Sequence, residues 1–285
     1  MAKKTTKTDY FTAEHDQTFG DKWTAIFNDI NKMEELIETS FKKGHLFFNQ
    51  ATDKKTTYKG FVYSNNSNIF VLTVIEQLKG KEKASLVSAC PLMKGINNRI
   101  ILKDYFTWKG GKAEGEFAGK TDLDRTINFY SPTYPVDMKN FKKNRNQTIS
   151  LAGLAYSIKK IEEQEHTITK GAFYDLQLKE FLKDNPDKTK KDFKAPIVRI
   201  TGESFRMFIS ADFACEYQIA GQIEDIKHID FLGTKMAVLK VNFEHSKENE
   251  FLYCNIYASE HVLKDYVPKI GDGIEAVIWL TGFFN

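Results

Sequence analysis

The stretch Ala237-Val238-Leu239-Lys240-Val241-Asn242-Phe243 decides the fold class, because apolar residues take every second position along it. The same period of two recurs in Leu252–Ala258 and in Ile274–Leu280. This period is typical of strands that bury one face. An earlier strand is predicted from Ile219 to Phe231, with a bulge, and Gly233-Thr234 turns the chain into the quoted stretch. The last part of the sequence is therefore predicted to form an antiparallel sheet.

This part of the sequence resembles an OB-fold barrel. The resemblance rests on a strand with an internal glycine, Gly221, two further strands, a short helix at Ser259–Tyr266, and Gly271-Asp272 leading into another strand. It covers about residues 217–285. OB-folds often bind single strands or oligosaccharides on one face, but a shared fold does not by itself transfer a function.

A fifth strand of such a barrel is missing after residue 280. The resemblance therefore implies either an open barrel or one that an upstream strand completes. Ile197–Ile200 and Phe205–Ile209 are the candidate upstream strands.

The earlier part of the chain is predicted to be a helix followed by a β-rich region. Apolar residues recur at three- and four-residue steps over Lys22–Lys43, with Asp21 as the N-cap and Gly44 after the C-terminus. Short segments rich in aromatic and β-branched residues follow, at 45–49, 57–63, 69–77, 85–90, 99–108 and 126–130. Leu151–Ile161 is ambiguous and is interpreted as a strand becoming a helix, and Ala172–Asp184 is predicted to be helical.

These patterns predict an α+β fold that is mainly β. A flexible arm is expected at 1–20, a domain with an amphipathic helix and β-strands at 21–184, a solvated linker at 185–194, and the small OB-like antiparallel barrel at 195–285. Neither a membrane-spanning apolar run of about 18 residues nor a signal peptide is apparent, so we expect a cytoplasmic protein without a membrane partner.

Charge is distributed unevenly along the sequence. Residues 1–194 carry 33 Lys and Arg against 25 Asp and Glu, a net +8, whereas residues 195–285 carry 8 against 13, a net −5. Any attraction for phosphate is therefore expected in the first part. Lysine outnumbers arginine 36 to 5, a bias typical of an AT-rich bacterial or phage genome. The widely spaced Cys90, Cys215 and Cys254 are predicted to be buried thiols.

Motifs for catalysis are weak, and we expect no enzyme, cofactor or metal site. Gly119-Lys120-Thr121 resembles the end of a phosphate-binding loop, but Glu114 stands where the first glycine is required. We therefore interpret Gly110–Gly119 as a β-connection. Glu114 and Glu116 are expected to stay solvated in that loop, and the six histidines form no metal-ligand pattern.

Basic and aromatic residues in the first part form the only candidate binding site. The candidates are Tyr105, Trp108, Lys139, Phe141, Lys142, Lys143 and Arg145. Cations that meet phosphates, together with rings that stack on bases, are typical of single-stranded nucleic-acid binders. Trp and Tyr are also enriched in protein interfaces, and a lysine-rich turn beside core aromatics has the same composition.

Two functions remain open at this point. The first is a non-catalytic binding protein that acts through a protein partner or through self-association into an oligomer. The alternative is a single-stranded nucleic-acid-binding protein. The sequence favours the first, because the OB-like part carries the negative charge while the cations lie elsewhere.

Overall fold

The computed structural model describes residues 20–108, 113–122, 124–202, 205–211, 213–245 and 251–284. It is 53% strand and 18% helix, which confirms the predicted α+β, mainly β class. The predicted arm at 1–20 lies outside the described residues except for Gly20, where the first helix begins. Among the described helices, none is both long enough and apolar enough to cross a membrane.

The described residues form five α-helices and fifteen strands. The helices are α1 Gly20–Ile26, α2 Ile30–Lys43, α3 Tyr134–Asn140, α4 Ala172–Asp184 and α5 Glu260–Leu263. The first nine strands are β1 His45–Ala51, β2 Thr56–Tyr63, β3 Ile69–Leu78, β4 Ser85–Met93, β5 Ile96–Thr107, β6 Gly115–Thr121, β7 Thr126–Tyr130, β8 Asn146–Lys160 and β9 Gln164–Thr167. The others are β10 Ile197–Ile200, β11 Met207–Ser210, β12 Glu216–Phe231, β13 Thr234–His245, β14 Phe251–Ser259 and β15 Gly273–Phe284.

The predicted helix over 22–43 is divided into α1 and α2. Asp29, in an extended conformation, caps α2 by accepting a hydrogen bond from the Asn31 N–H at 2.9 Å. The sequence assigned the cap to Asp21, but this residue lies inside α1. Gly44 ends α2 with φ of −67° and so does not use the left-handed conformation typical of glycine at that position.

The first four strands form a separate antiparallel sheet in the order β1-β2-β3-β4. One face is covered by α2, whose buried Ser40 hydroxyl bonds to the Val71 carbonyl at 3.2 Å. The sheet shares a buried cluster with α1 and with the outer sides of β8, β14 and β15, through Trp23, Val71, Leu154, Tyr257 and Trp279 among others.

Five strands close into a ring that includes the part resembling an OB-fold, here called the C-terminal ring. Around it, β12 pairs with β13, β13 with β14, β14 with β8, β8 with β15, and β15 with β12. All pairs are antiparallel except β14–β8. The bulge predicted in β12 is present between Ile223 and Asp225.

The fifth strand of this ring is β8, which comes from far upstream. Neither proposed candidate has this role, since β10 pairs with β9, and β11 extends the sheet beyond β12. The interpretation of 151–161 as a strand becoming a helix was wrong, because β8 stays extended as far as Lys160.

A second ring of five strands, the N-terminal ring, contains β5, β6, β7, β15 and β8. Here β5 pairs with β6, β6 with β7 and β8 with β5, while a single parallel pair, Thr281 with Tyr130, joins β15 to β7. The segment 185–194 is exposed apart from half-buried Asn185 and Phe193 and contains a 3₁₀ turn, Lys190–Asp192. The hydrogen-bonded sheet nevertheless extends across this predicted boundary, so the two predicted domains share strands.

Candidate functional site

Six of the seven candidate residues come together at one end of the N-terminal ring. Lys139 is exposed in the last turn of α3. The segment 141–145, here called the basic loop, connects α3 to β8 and supplies Phe141, Lys142, Lys143 and Arg145. It lies beside the bulge of β5, which carries Tyr105.

Backbone hydrogen bonds fix the basic loop on β5. The Asn144 N–H donates to the Leu102 carbonyl at 2.7 Å, and the Leu102 N–H donates to the Arg145 carbonyl at 3.2 Å. The loop turns at Asn144, whose φ of 58° is left-handed and is tolerated by asparagine. The Gln147 side chain accepts from the Lys142 N–H at 2.8 Å, so the turn is held from both sides. The loop thereby continues the β5–β8 pairing.

Two aromatic rings border the basic loop. The rings of Tyr105 and Phe141 lie edge to face with centroids 5.0 Å apart. Phe141 is anchored on the ring core through Phe117, at 5.8 Å, whereas Tyr105 is 39% exposed. The pair therefore presents an exposed tyrosine ring on a fixed base, which is suitable for stacking against a flat ligand.

The bulge adds a cation that sequence analysis missed. The β5–β6 register shifts between Leu102 and Asp104, so Lys103 is the extra residue. Its ammonium donates to the Asn144 side-chain oxygen at 3.2 Å, within the basic loop. Only the pairing of β5 with the loop places this lysine there, so the sequence held no local signal for it.

The anionic groups at this surface are few. The Lys143 ammonium lies 3.8 Å from the Asp104 carboxylate. A hydrogen bond from Lys120 lowers the pKa of Asp124, and the charge of Lys103 lowers it further. Among the described residues, seven basic side chains, Arg99, Lys103, Lys120, Lys139, Lys142, Lys143 and Arg145, thus meet three carboxylates, Asp104, Asp122 and Asp124. Four positive charges remain in excess.

Trp108 does not belong to this surface. It is 8% exposed and packs on buried Tyr130 with ring centroids 4.9 Å apart. It lies in the cluster that joins the four-stranded sheet to the outer side of the rings. Its sequence position beside a glycine-rich segment gave no indication that the indole is buried.

Glu114 and Glu116 are not solvated in a loop as expected. Glu116 lies on β6, 2% exposed, and its carboxylate accepts from the Cys215 thiol at 3.1 Å. Burial raises the pKa of Glu116 to about 7, and burial also raises that of Glu114 to about 7. Gly119-Lys120-Thr121 also lies within β6, not in a loop. The three cysteines are free and buried as predicted.

Within the described residues, no group of three or more His, Cys, Asp or Glu side chains is placed to hold a metal ion. The surface around the basic loop is a cluster of cations beside the exposed ring of Tyr105. No known family model, curated protein or solved structure matches this chain.

Proposed function

We propose that this chain is a non-catalytic protein that binds single-stranded nucleic acid through the basic loop and the neighbouring strand β5. The observation that carries the proposal is the position of the loop on the β5 bulge. It brings Lys103 and Tyr105 beside residues 141–145, which are 36 to 42 positions away in sequence.

The chemistry of this surface is matched to a phosphate backbone with unpaired bases. Cations at phosphates release counterions, which supplies most non-specific affinity for nucleic acid. An exposed aromatic ring stacks on any base and contributes about 1–3 kcal/mol per base. Single strands present both groups at once, whereas a duplex hides the faces of its bases.

The charge argument that favoured a protein partner has a different weight in the folded chain. That argument placed the OB-like strands and the cations in separate domains. Because β8 and β15 belong to both rings, the cationic loop leads directly into a strand shared with the OB-like ring. We propose that both rings are OB-type barrels, which commonly bind oligonucleotides.

A binding experiment with matched variants tests this function. Fluorescence anisotropy with labelled oligo-dT is measured at about 50 and 200 mM salt. Changing Lys142, Lys143 and Arg145 together to Ala is expected to weaken binding at least tenfold and to reduce the salt slope by about 2, since each cation at a single strand contributes about 0.7.

The control for that experiment removes three exposed lysines from the turns of the four-stranded sheet. Lys54 lies between β1 and β2, and Lys79 and Lys81 lie between β3 and β4. Their change to Ala alters the net charge equally and is expected to leave affinity within about twofold. Absence of binding at 50 mM salt, or equal losses in both variants, would reject the function.

A protein partner or self-association remains the second candidate, favoured by one apolar surface. Phe41 at the end of α2 and Leu46 and Phe47 at the start of β1 are each half-exposed or more. Large exposed apolar side chains in one place are typical of interfaces. If copies associate here, light scattering should show a mass above one chain that falls on changing Leu46 and Phe47 to Glu.

A further inference from the structure

The two rings repeat one order of elements. The first unit is β5, β6, β7, α3 and β8, and the second is β12, β13, β14, α5 and β15. In each unit the first strand pairs antiparallel with the last. In each, the third strand lies parallel to the last strand of the other unit, β7 beside β15 and β14 beside β8. Each unit thus keeps its last strand and also shares it with the ring of the other unit.

Irregularities recur at matching places. In the first unit, β5 bulges between Leu102 and Asp104 where it pairs with β6. In the second, β12 bulges between Ile223 and Asp225 where it pairs with β13. In both units the first strand pairs with the last strand before the bulge and with the second strand around and after it.

The pairing of the shared strands β8 and β15 is symmetric about the residue pair Ala152–Thr281. Leu151-Ala152-Gly153 on β8 lies antiparallel to Leu280-Thr281-Gly282 on β15, so that each glycine is opposite the leucine of the other strand. Exchanging β8 with β15 maps this pairing onto itself. Leucine and glycine therefore stand at corresponding positions of the two strands.

A side chain that bonds to both the N–H and the carbonyl of one residue, here called a clasp, also occurs twice. Asn98 on β5 accepts from the Tyr253 N–H at 3.1 Å and donates to the Tyr253 carbonyl at 2.8 Å. Tyr217 on β12 accepts from the Asn128 N–H at 2.7 Å and donates to the Asn128 carbonyl at 3.1 Å. In both cases the first strand of one unit holds the backbone of the third strand of the other.

From these correspondences we infer that the chain contains two copies of one unit, and that only the first copy binds nucleic acid. The chain then has one single-strand site, whose length is at the short end of the roughly 4–16 nucleotides that one OB-fold covers. This inference rests on the proposed function.

The loops that follow the helices explain the difference between the copies. Each contains an aromatic residue packed against the ring core, Phe141 in the first and Tyr266 in the second. The first loop continues with Lys142, Lys143 and Arg145, whereas Val267-Pro268-Lys269-Ile270 follows in the second. Val267 and Ile270 are 71% and 67% exposed. The first loop thus carries three cations and no carboxylate, whereas the second, residues 264–272, carries two cations, Lys264 and Lys269, and two carboxylates, Asp265 and Asp272.

The residues inserted at the two bulges also differ in charge. The extra residue is Lys103 in the first unit and Glu224 in the second. Glu224 lies 3.0 Å from Lys240, and an aspartate follows the extra residue in both units, Asp104 in the first and Asp225 in the second. A phosphate that meets cations at the first copy would meet a carboxylate at the second.

The outer faces of the second and third strands, where OB-folds commonly bind, are also covered. On the C-terminal ring, Met236, Val238 and Tyr257 are buried in the cluster with α1 and the four-stranded sheet. On the N-terminal ring, Cys215 lies on Glu116 and Tyr217 bonds to Asn128. Contact with nucleic acid is therefore confined to the end of the ring that carries the basic loop.

Calorimetric titration of the full chain with an oligo-dT of six nucleotides at about 50 and 200 mM salt tests the inference. We expect one oligonucleotide per chain, and a salt slope of about 3 from Lys103, Lys142, Lys143 and Arg145 that is the same for an oligo-dT of twelve. Two oligonucleotides per chain, or a slope that rises with length, would overturn the inference while leaving the proposed function intact. No binding to either oligonucleotide would refute both.

A gain-of-function variant tests whether the two loops are equivalent. Changing Val267 to Lys and Ile270 to Arg joins them to Lys269 and gives residues 267–270 three cations, as in the first loop. Both side chains are mostly exposed, so circular dichroism should show an unchanged fold. A second oligonucleotide bound per chain supports the inference, and one bound as before would contradict the equivalence of the loops.

Discussion

The Tyr217 hydroxyl satisfies two backbone groups of β7 at once, the N–H and the carbonyl of Asn128. Changing Tyr217 to Phe keeps the ring and removes both hydrogen bonds. A buried polar group without a partner costs about 1–3 kcal/mol, so the free energy of unfolding should fall by at least that amount in urea titrations. Tyr63 to Phe, at a half-buried position on β2, is the control with no expected change. Equal stability of the two variants would contradict the role of the clasp.

The raised pKa of Glu116 is expected to make the stability of the fold depend on pH. Its pKa is raised to about 7 in the fold from a usual value of 4.5, mainly because it is buried. Between these values the folded chain holds a proton that the unfolded chain releases, so the free energy of unfolding falls as pH rises from about 4.5 to about 7.

Changing Glu116 to Gln removes the group that ionises. The variant should be more stable than the original chain at pH 8, by up to about 3 kcal/mol, and nearly equal at pH 5. Urea unfolding at both values measures this, with exposed Glu163 to Gln as the control. Glu114 and Asp137, whose pKa values burial also raises to about 7, keep part of the slope in both proteins. A Gln variant with an unchanged pH profile would show that Glu116 is ionised in the fold.

At the scale of the element, β13 and β14 could be predicted and β8 could not. Period two identified β13 and β14 because Lys240, Asn242 and Asn255 alternate with apolar residues, although Val238 and Tyr257 are buried on the other face. From Ile149 to Ala155, however, β8 is buried on both faces, so the alternation disappears. The register against β15 then shifts at Tyr156, which moves the apolar positions from Leu151 to Ile158 out of phase and imitates a helical spacing.

The candidate site shows the same limit. The basic residues between Lys139 and Arg145 are neighbours in sequence, so their clustering could be predicted from the sequence alone. Lys103 and Tyr105 join them only through the pairing of β5 with the basic loop. Trp108, three residues beyond Tyr105, follows the end of β5 and is buried on the opposite side. A strand end that changes its environment within three residues leaves no periodic signal.

For the whole molecule, the sharing of β8 and β15 between the two rings makes the two halves of the chain interdependent. Without β15 the N-terminal ring lacks a strand, and without β8 the C-terminal ring lacks one. Each half alone would expose unpaired backbone groups along strand edges that are buried in the complete chain. The sequence predicted two domains, 21–184 and 195–285, joined by a linker at 185–194.

A single cut distinguishes these two descriptions. A protease site placed at Asp187, in the exposed turn after α4, severs the chain without touching a ring strand. The cut protein should elute as one two-piece complex and keep a cooperative melting transition, because the pieces remain joined along eleven β8–β15 residue pairs. Produced separately, residues 20–187 and 188–285 should each show no cooperative melting, and mixing them during refolding should restore it. If either piece melts cooperatively alone at a temperature close to that of the intact chain, its ring is complete without the strand from the other piece, and the interdependence is refuted.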